Sequence, residues 1–128
     1  MSDQLWARGK VVSYASRMFA TAAIWLVIVL HVLFGLGESV GWNAMAKRFG
    51  YKPAAIAATK VLALNQGAYN AGFAALLAWA LLAGQGATVI ALLCFIVAMS
   101  VVGALSVRWT IFVVQGVPAV TALALSLL

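Results

Sequence analysis

Residues 64–70 read Leu64-Asn65-Gln66-Gly67-Ala68-Tyr69-Asn70, and an apolar run continues from there to Leu82. Four side chains that need hydrogen-bond partners thus stand at the mouth of a segment suited to hydrocarbon. Lipid offers such groups nothing, so they must face one another, a cavity or a ligand. The stretch points to a helical membrane protein that carries a polar site inside it.

Composition agrees: of 128 residues, 66% are hydrophobic and 8% charged, whereas soluble domains hold roughly 45–50% and 25%. A span takes about 20 residues, so the chain has room for four helices and short connections, and 1–128 reads as a single transmembrane domain. Cys94, the one cysteine, lies in an apolar run. It excludes an intramolecular disulfide and reads as a small core residue.

The apolar runs place spans near 18–37, 65–82, 87–107 and 111–128. Ahead of them, 1–17 mixes Leu5, Trp6, Val12 and Tyr14 with Arg8, Lys10 and Arg17, the pattern of a short basic interfacial segment. A cleaved signal peptide is not expected: the first apolar run is too long, and Ala44 to Ala46, an Ala-x-Ala, lies too far downstream. Between the first two spans, 38–52 is the longest polar connection, and Pro53 suits a first helical position because its missing N–H is unneeded there. A helix over 53–82 would be about 45 Å long against a core of roughly 30 Å, so its first turns, with Lys60, project from the membrane. Gly84-Gln85-Gly86 and Arg108-Trp109-Thr110 are tight connections, which imply antiparallel neighbours. The expected fold is therefore all-α, an antiparallel bundle of four transmembrane helices with both termini on one side. Lys47, Arg48, Lys52, Lys60 and Arg108 on the loop side against Arg8, Lys10 and Arg17 on the terminal side lean toward cytoplasmic loops.

Depth adds a further expectation. At about 1.5 Å per residue, His31 lies roughly 10 Å below Glu38, Asn70 about 8 Å below Asn65, Ser100 about 10 Å below Val107 and Gln115 about 6 Å below Ile111. All four spans carry polar groups in the same half of the bilayer, so His31, Tyr69, Asn70 and Gln115 are expected to converge in one cavity. His31 and Glu38 are seven positions apart, about 20° from alignment on a helix, with Gly35 between them and Trp42 on the same line. On the second span Asn65, Gln66, Tyr69 and Asn70 occupy an arc of roughly 140°. Pro118 cannot donate to the carbonyl of Val114, which predicts a kink beside Gln115.

Plainer readings stand beside these. Asn and Gln in membrane helices often act as interhelical glue, Trp42 and Trp109 suit interface anchors, and Lys47, Arg48 and Lys52 suit anionic-lipid contacts. Gly37-x-x-x-Gly41 has close-packing spacing but falls at a helix end. Metal and cofactor chemistry are not expected, since one His and two acids, with Asp3 remote, cannot furnish a ligand set. Nor is there a phosphate loop or nucleophile elbow. The net charge of +6 suits lipid headgroups better than nucleic acid.

Three pieces carry a likeness: His31 followed by Glu38 and Trp42, Thr59-Lys60 leading into the 64–70 stretch, and Val114-Gln115-Gly116-Val117-Pro118-Ala119. On them, over about 20–128, the chain resembles short bacterial and fungal integral membrane proteins catalogued as domain of unknown function 1304. The Asn-Gln-Gly-x-Tyr-Asn piece is the most specific, and 1–17 is longer than usual for that family. The resemblance implies a four-helix fold with these polar residues as its signature and brings no activity.

Two functional classes fit the residues. In the first, an enzyme of the bacterial inner membrane performs acid–base chemistry (isomerisation, ring opening or hydration) on a lipophilic small molecule entering from the lipid. His31, Glu38 and Tyr69 would transfer protons, while Trp42, Asn65, Gln66, Asn70 and Gln115 would hold the substrate. In the second, a small proton-coupled transporter exchanges a proton at Glu38 or His31 for a hydrophobic compound. An accessory subunit of a membrane complex is the third reading, and the near-balanced charge also permits dual insertion, as a homo-oligomer in the form of an antiparallel transporter dimer would require.

Overall fold

The computed structural model describes the backbone of residues 2–128 and the side chains of residues 14–128. Among them the chain is all-helical, with five α-helices and no strand: α1 (Ser2–Ser39), α2 (Trp42–Arg48), α3 (Pro53–Leu82), α4 (Gly86–Ser106) and α5 (Val117–Ser126), the last preceded by a π-helical turn over Phe112–Gly116. The interfacial reading of 1–17 turns on Leu5, Trp6, Arg8, Lys10 and Val12, whose side chains lie outside the described residues.

The helix ends follow local chemistry. Gly84 has φ +67°; its N–H donates to Leu81 O at 3.2 Å, and that of Gln85 donates to Ala80 O at 2.9 Å. This pair of bonds, closed by a glycine in the left-handed region, caps the last carbonyls of α3. The same device ends α2: Gly50 has φ +81°, and Gly50 N–H and Tyr51 N–H donate to Lys47 O and Ala46 O, each at 3.0 Å. Pro53 opens α3 at the position expected of it. Helix α2 lies inside what the sequence presents as a polar connection, too short for its periodicity to stand out.

Two helical stretches, Tyr14–Ser39 and Gly86–Ser106, are long and apolar enough to cross a membrane. Helix α3, at 30 residues, has the length but not the composition, because Lys60, Asn65, Gln66 and Asn70 dilute its apolar content. Phe112–Ser126 is apolar but shorter.

The chain divides into two compact units, one of Met1–Val27 with Ala80–Leu128 and the other of Ile28–Trp79. In the first, Val89, Leu93, Ile96 and Ser100 bury one stripe of α4, and Ala119 and Ala122 one stripe of α5. A Cβ on Gly116 would stand 2.5 Å from Ser100 Oγ, and one on Gly103 2.9 Å from Ile111 Cγ2. Glycine therefore sets the closeness of this hairpin. At Pro118, where the sequence predicts a kink, the helix widens, with Val117 N–H donating to Phe112 O. Closing i→i+5 in this way turns Ile111 and Gly116 toward the same neighbour, although five α-helical residues would rotate them about 140° apart.

In the second unit the last turns of α1 pack antiparallel on α3. His31 meets Phe73, Gly35 meets Gly67 and Ala71, and Glu38 meets Asn70. Ile56, Ala63, Gly67, Ala74 and Leu77 form the buried stripe of α3, spaced three, four or seven apart as one helical face requires.

Candidate functional site

The tightest point of the second unit is a backbone crossing. A Cβ on Gly35 would lie 3.1 Å from Gly67 O and 3.2 Å from Ala71 N. One on Gly67 would collide with Ser39 Oγ, and would lie 2.7 Å from Gly35 O and 2.9 Å from Ser39 N. Only glycine fits at both places. The Gly37-x-x-x-Gly41 spacing serves a different end: the space beside Gly37 is occupied by Met45 Sδ of α2, at 2.7 Å.

On either side of this crossing stand the polar residues of the seam. Toward the α1 C-terminus, Asn70 Nδ2 donates to Glu38 Oε2 at 2.6 Å, a short side-chain bond between the two helices. Toward the middle of α1, His31 is 5% exposed. Its ring centroid lies 5.3 Å from that of Phe73, tilted by 39°, and 6.3 Å from that of Phe34, edge-on at 89°. Seven residues separate His31 from Glu38, about 10 Å along a helix, so they are two stations on one seam and not a bonded pair.

Trp42 begins α2, and its Nε1–H donates to Ile56 O at 3.2 Å. Its ring stands edge-on to Tyr51 at 5.7 Å. Trp42 thereby fastens α2 to the first turns of α3 just beyond the open end of the seam. Among the described residues, no buried side-chain nitrogen or oxygen lacks a partner.

The arc of four polar residues on α3 is split. Asn70 turns inward to Glu38, whereas Asn65 and Gln66 are exposed and Tyr69 is 68% exposed on the outer face. Tyr69 thus does not share the seam with His31. Gln115 is half-buried in the π turn, in the other unit. The contributions the sequence did not reveal are Phe34, Phe73 and Ser39. Phe73 carries a usable signal, standing three positions beyond Asn70 and so on the same helix face.

A family model described as protein of unknown function (DUF1304) matches residues 25–127, which takes in the whole seam and the π turn. The chain belongs to the DUF1304 family. No curated protein and no solved structure matches the chain. All three sequence pieces that carried the likeness fall inside the matched residues. For this DUF1304 member, then, a functional reading has to come from its residues.

Proposed function

We propose that this protein is a multi-pass protein of the bacterial inner membrane, with four spans supplied by α1, α3, α4 and the π turn with α5. Its α1–α3 seam handles protons in chemistry on a lipophilic small molecule reached from the lipid. The observation that carries the reading is the 2.6 Å bond from Asn70 to Glu38. A carboxylate held by a fixed amide near a helix end has a defined direction, which a general acid or base requires. His31, enclosed by Phe34 and Phe73, is the second ionisable group of the seam, and within a membrane such a group is a functional candidate by default. The two stations lie roughly 10 Å apart with the closed Gly35–Gly67 crossing between them, so they do not exchange protons directly, and each would meet the molecule from the lipid on its own side of the crossing.

The short fourth span is compatible with this topology, since a local thinning of the bilayer costs only fractions of a kcal/mol per Å. Tight turns before α4 and α5 give an up-and-down order with both termini on one side.

A second reading, an accessory subunit whose polar seam only joins helices, is favoured by the closed Gly35–Gly67 contact and the complete pairing of buried polar atoms. Lipid profiling of cells with and without the protein, repeated with Glu38→Gln and His31→Gln, separates the two. The proton-transfer reading expects a substrate and product pair whose conversion falls by roughly 10² or more with either replacement while the protein still accumulates. Conversion that survives both replacements would sink it. A change in uptake or resistance to a hydrophobic compound, with no lipid altered, would put transport in its place.

A further inference from the structure

Of the polar groups that the seam leaves out, Asn65 and Tyr69 lie on the opposite face of α3 and Gln66 on its flank, at a depth where their exposure needs an explanation. A span takes about 20 residues, so wherever the bilayer core sits along the 30 residues of α3, positions 63–72 remain inside it. Asn65, Gln66 and Tyr69 are within that interval and exposed, and none of them forms a side-chain hydrogen bond among the described residues. Left against lipid, two amides and a phenol would each forgo partners that water would supply.

Three features of this face select one kind of partner. At about 100° per residue, Asn65, Tyr69, Gly72 and Leu76 fall within an arc of about 60°, a straight stripe and not a scatter. The space above Gly72 is open, with nothing within 4 Å of a Cβ there, and Ala68 precedes it by four positions, the small-residue spacing that lets two helix backbones approach. The stripe also carries no charge. An amide both donates and accepts, so Asn65 can pair with its own copy, as two-fold symmetry demands, whereas a carboxylate or ammonium would repel its copy.

We infer that the outward stripe of α3 is where two copies of this chain associate in the membrane, in the same orientation, exchanging hydrogen bonds through Asn65 and Tyr69. A two-fold axis along the bilayer normal sets each residue at the depth of its own copy, so the amides and phenols meet at the crossing. The inference rests on reading α3 as a membrane span.

Single-cysteine proteins made in a Cys94→Ala background test it in native membranes. Ala68→Cys should form a disulfide-linked dimer on oxidation, while Val102→Cys, exposed on α4, should not. Adding Asn65→Ala, Tyr69→Phe and Gly72→Leu together should lower the Ala68→Cys dimer fraction roughly tenfold or more, since they remove the interhelical hydrogen bonds and the close approach at once. An impermeant maleimide should label Lys52→Cys and Gln85→Cys from opposite sides. Labelling from one side overturns the span and the inference with it. Opposite-side labelling with Ala68→Cys still monomeric, or with a dimer insensitive to the triple replacement, overturns the dimer contact alone. A monomer that holds a lipid on this face and releases it after the triple replacement would assign the stripe to lipid instead and overturn the proposal.

Discussion

The two units solve the same problem, polar groups among apolar helices, in opposite ways. In the α4–α5 hairpin the polar side chains are mostly hydroxyls, and they turn back on their own helix. Ser100 donates to Val97 O, Ser106 to Val102 O, Thr121 to Val117 O and Ser126 to Ala122 O, at 2.7 to 2.9 Å. A hydroxyl has one proton and a short reach, so the carbonyl three or four residues back can satisfy it without help. In the α1–α3 unit Thr59 does the same, donating to Ala55 O at 2.7 Å, but the other polar groups are chiefly an imidazole, a carboxylate and amides, which are too long or have too many donors and acceptors to be satisfied that way. They reach between elements, as Asn70 does to Glu38 and Trp42 to Ile56. A self-sufficient polar residue leaves its helix free of polar ties; one that needs a second element binds its helix to that element.

The contrast is sharpest at the glycines. Gly67→Ala places a Cβ against Ser39 Oγ and the backbone of Gly35 and Ser39, so it should destabilise the fold by about 3 kcal/mol or more. Gly116→Ala meets the side chains of Phe112 and Ser100 instead of backbone, and should cost about 1–2 kcal/mol. Unfolding in mixed micelles with increasing denaturing detergent measures both, and equal losses would erase the distinction between a backbone crossing and a side-chain contact.

Asn70→Leu keeps the volume near Glu38 but removes its donor, and the same measurement should show a loss of about 1–2 kcal/mol. Replacing the hydroxyls Ser106 or Thr121, by Ala and Val respectively, should change stability by no more than about 0.5 kcal/mol, because each bond lies within one helix and its loss leaves no neighbour unpaired. A loss at Thr121 as large as that at Asn70 would mean that α5 too depends on a polar contact beyond itself.

These differences explain what could be read from residues alone. The Gly84 turn was legible because a left-handed glycine between two apolar runs is a local signal. The alignment of His31 with Glu38 followed from helical geometry, and both do face α3. Which part of the Asn65 to Asn70 arc would turn inward was not legible. In a soluble helix the apolar side marks the core, but α3 is flanked by apolar residues all round, and lipid is as apolar as a protein interior. The glycine crossing settles the matter: Gly67 has to face Gly35, and that rotation carries Asn70 in and Asn65, Gln66 and Tyr69 out. The π turn was half legible, since Pro118 announced trouble in the helix but not whether it would bend or widen. Helix α2, with seven residues, lacked the length for a periodic signal.

The π turn also bears on how the chain tolerates gain and loss of residues. A turn closed by Val117 N–H on Phe112 O is an α-helical turn that has absorbed one residue too many. Remove Val114, and an ordinary i→i+4 closure would carry Ile111 and the glycine after Gln115 to the same face that the wide turn now gives them. Shortening the chain by one residue there should leave the hairpin packed, whereas the same deletion inside α4 would rotate every later side chain by about 100°. Between Trp109 and Pro118, therefore, this chain should accept the loss of one residue without a change of fold.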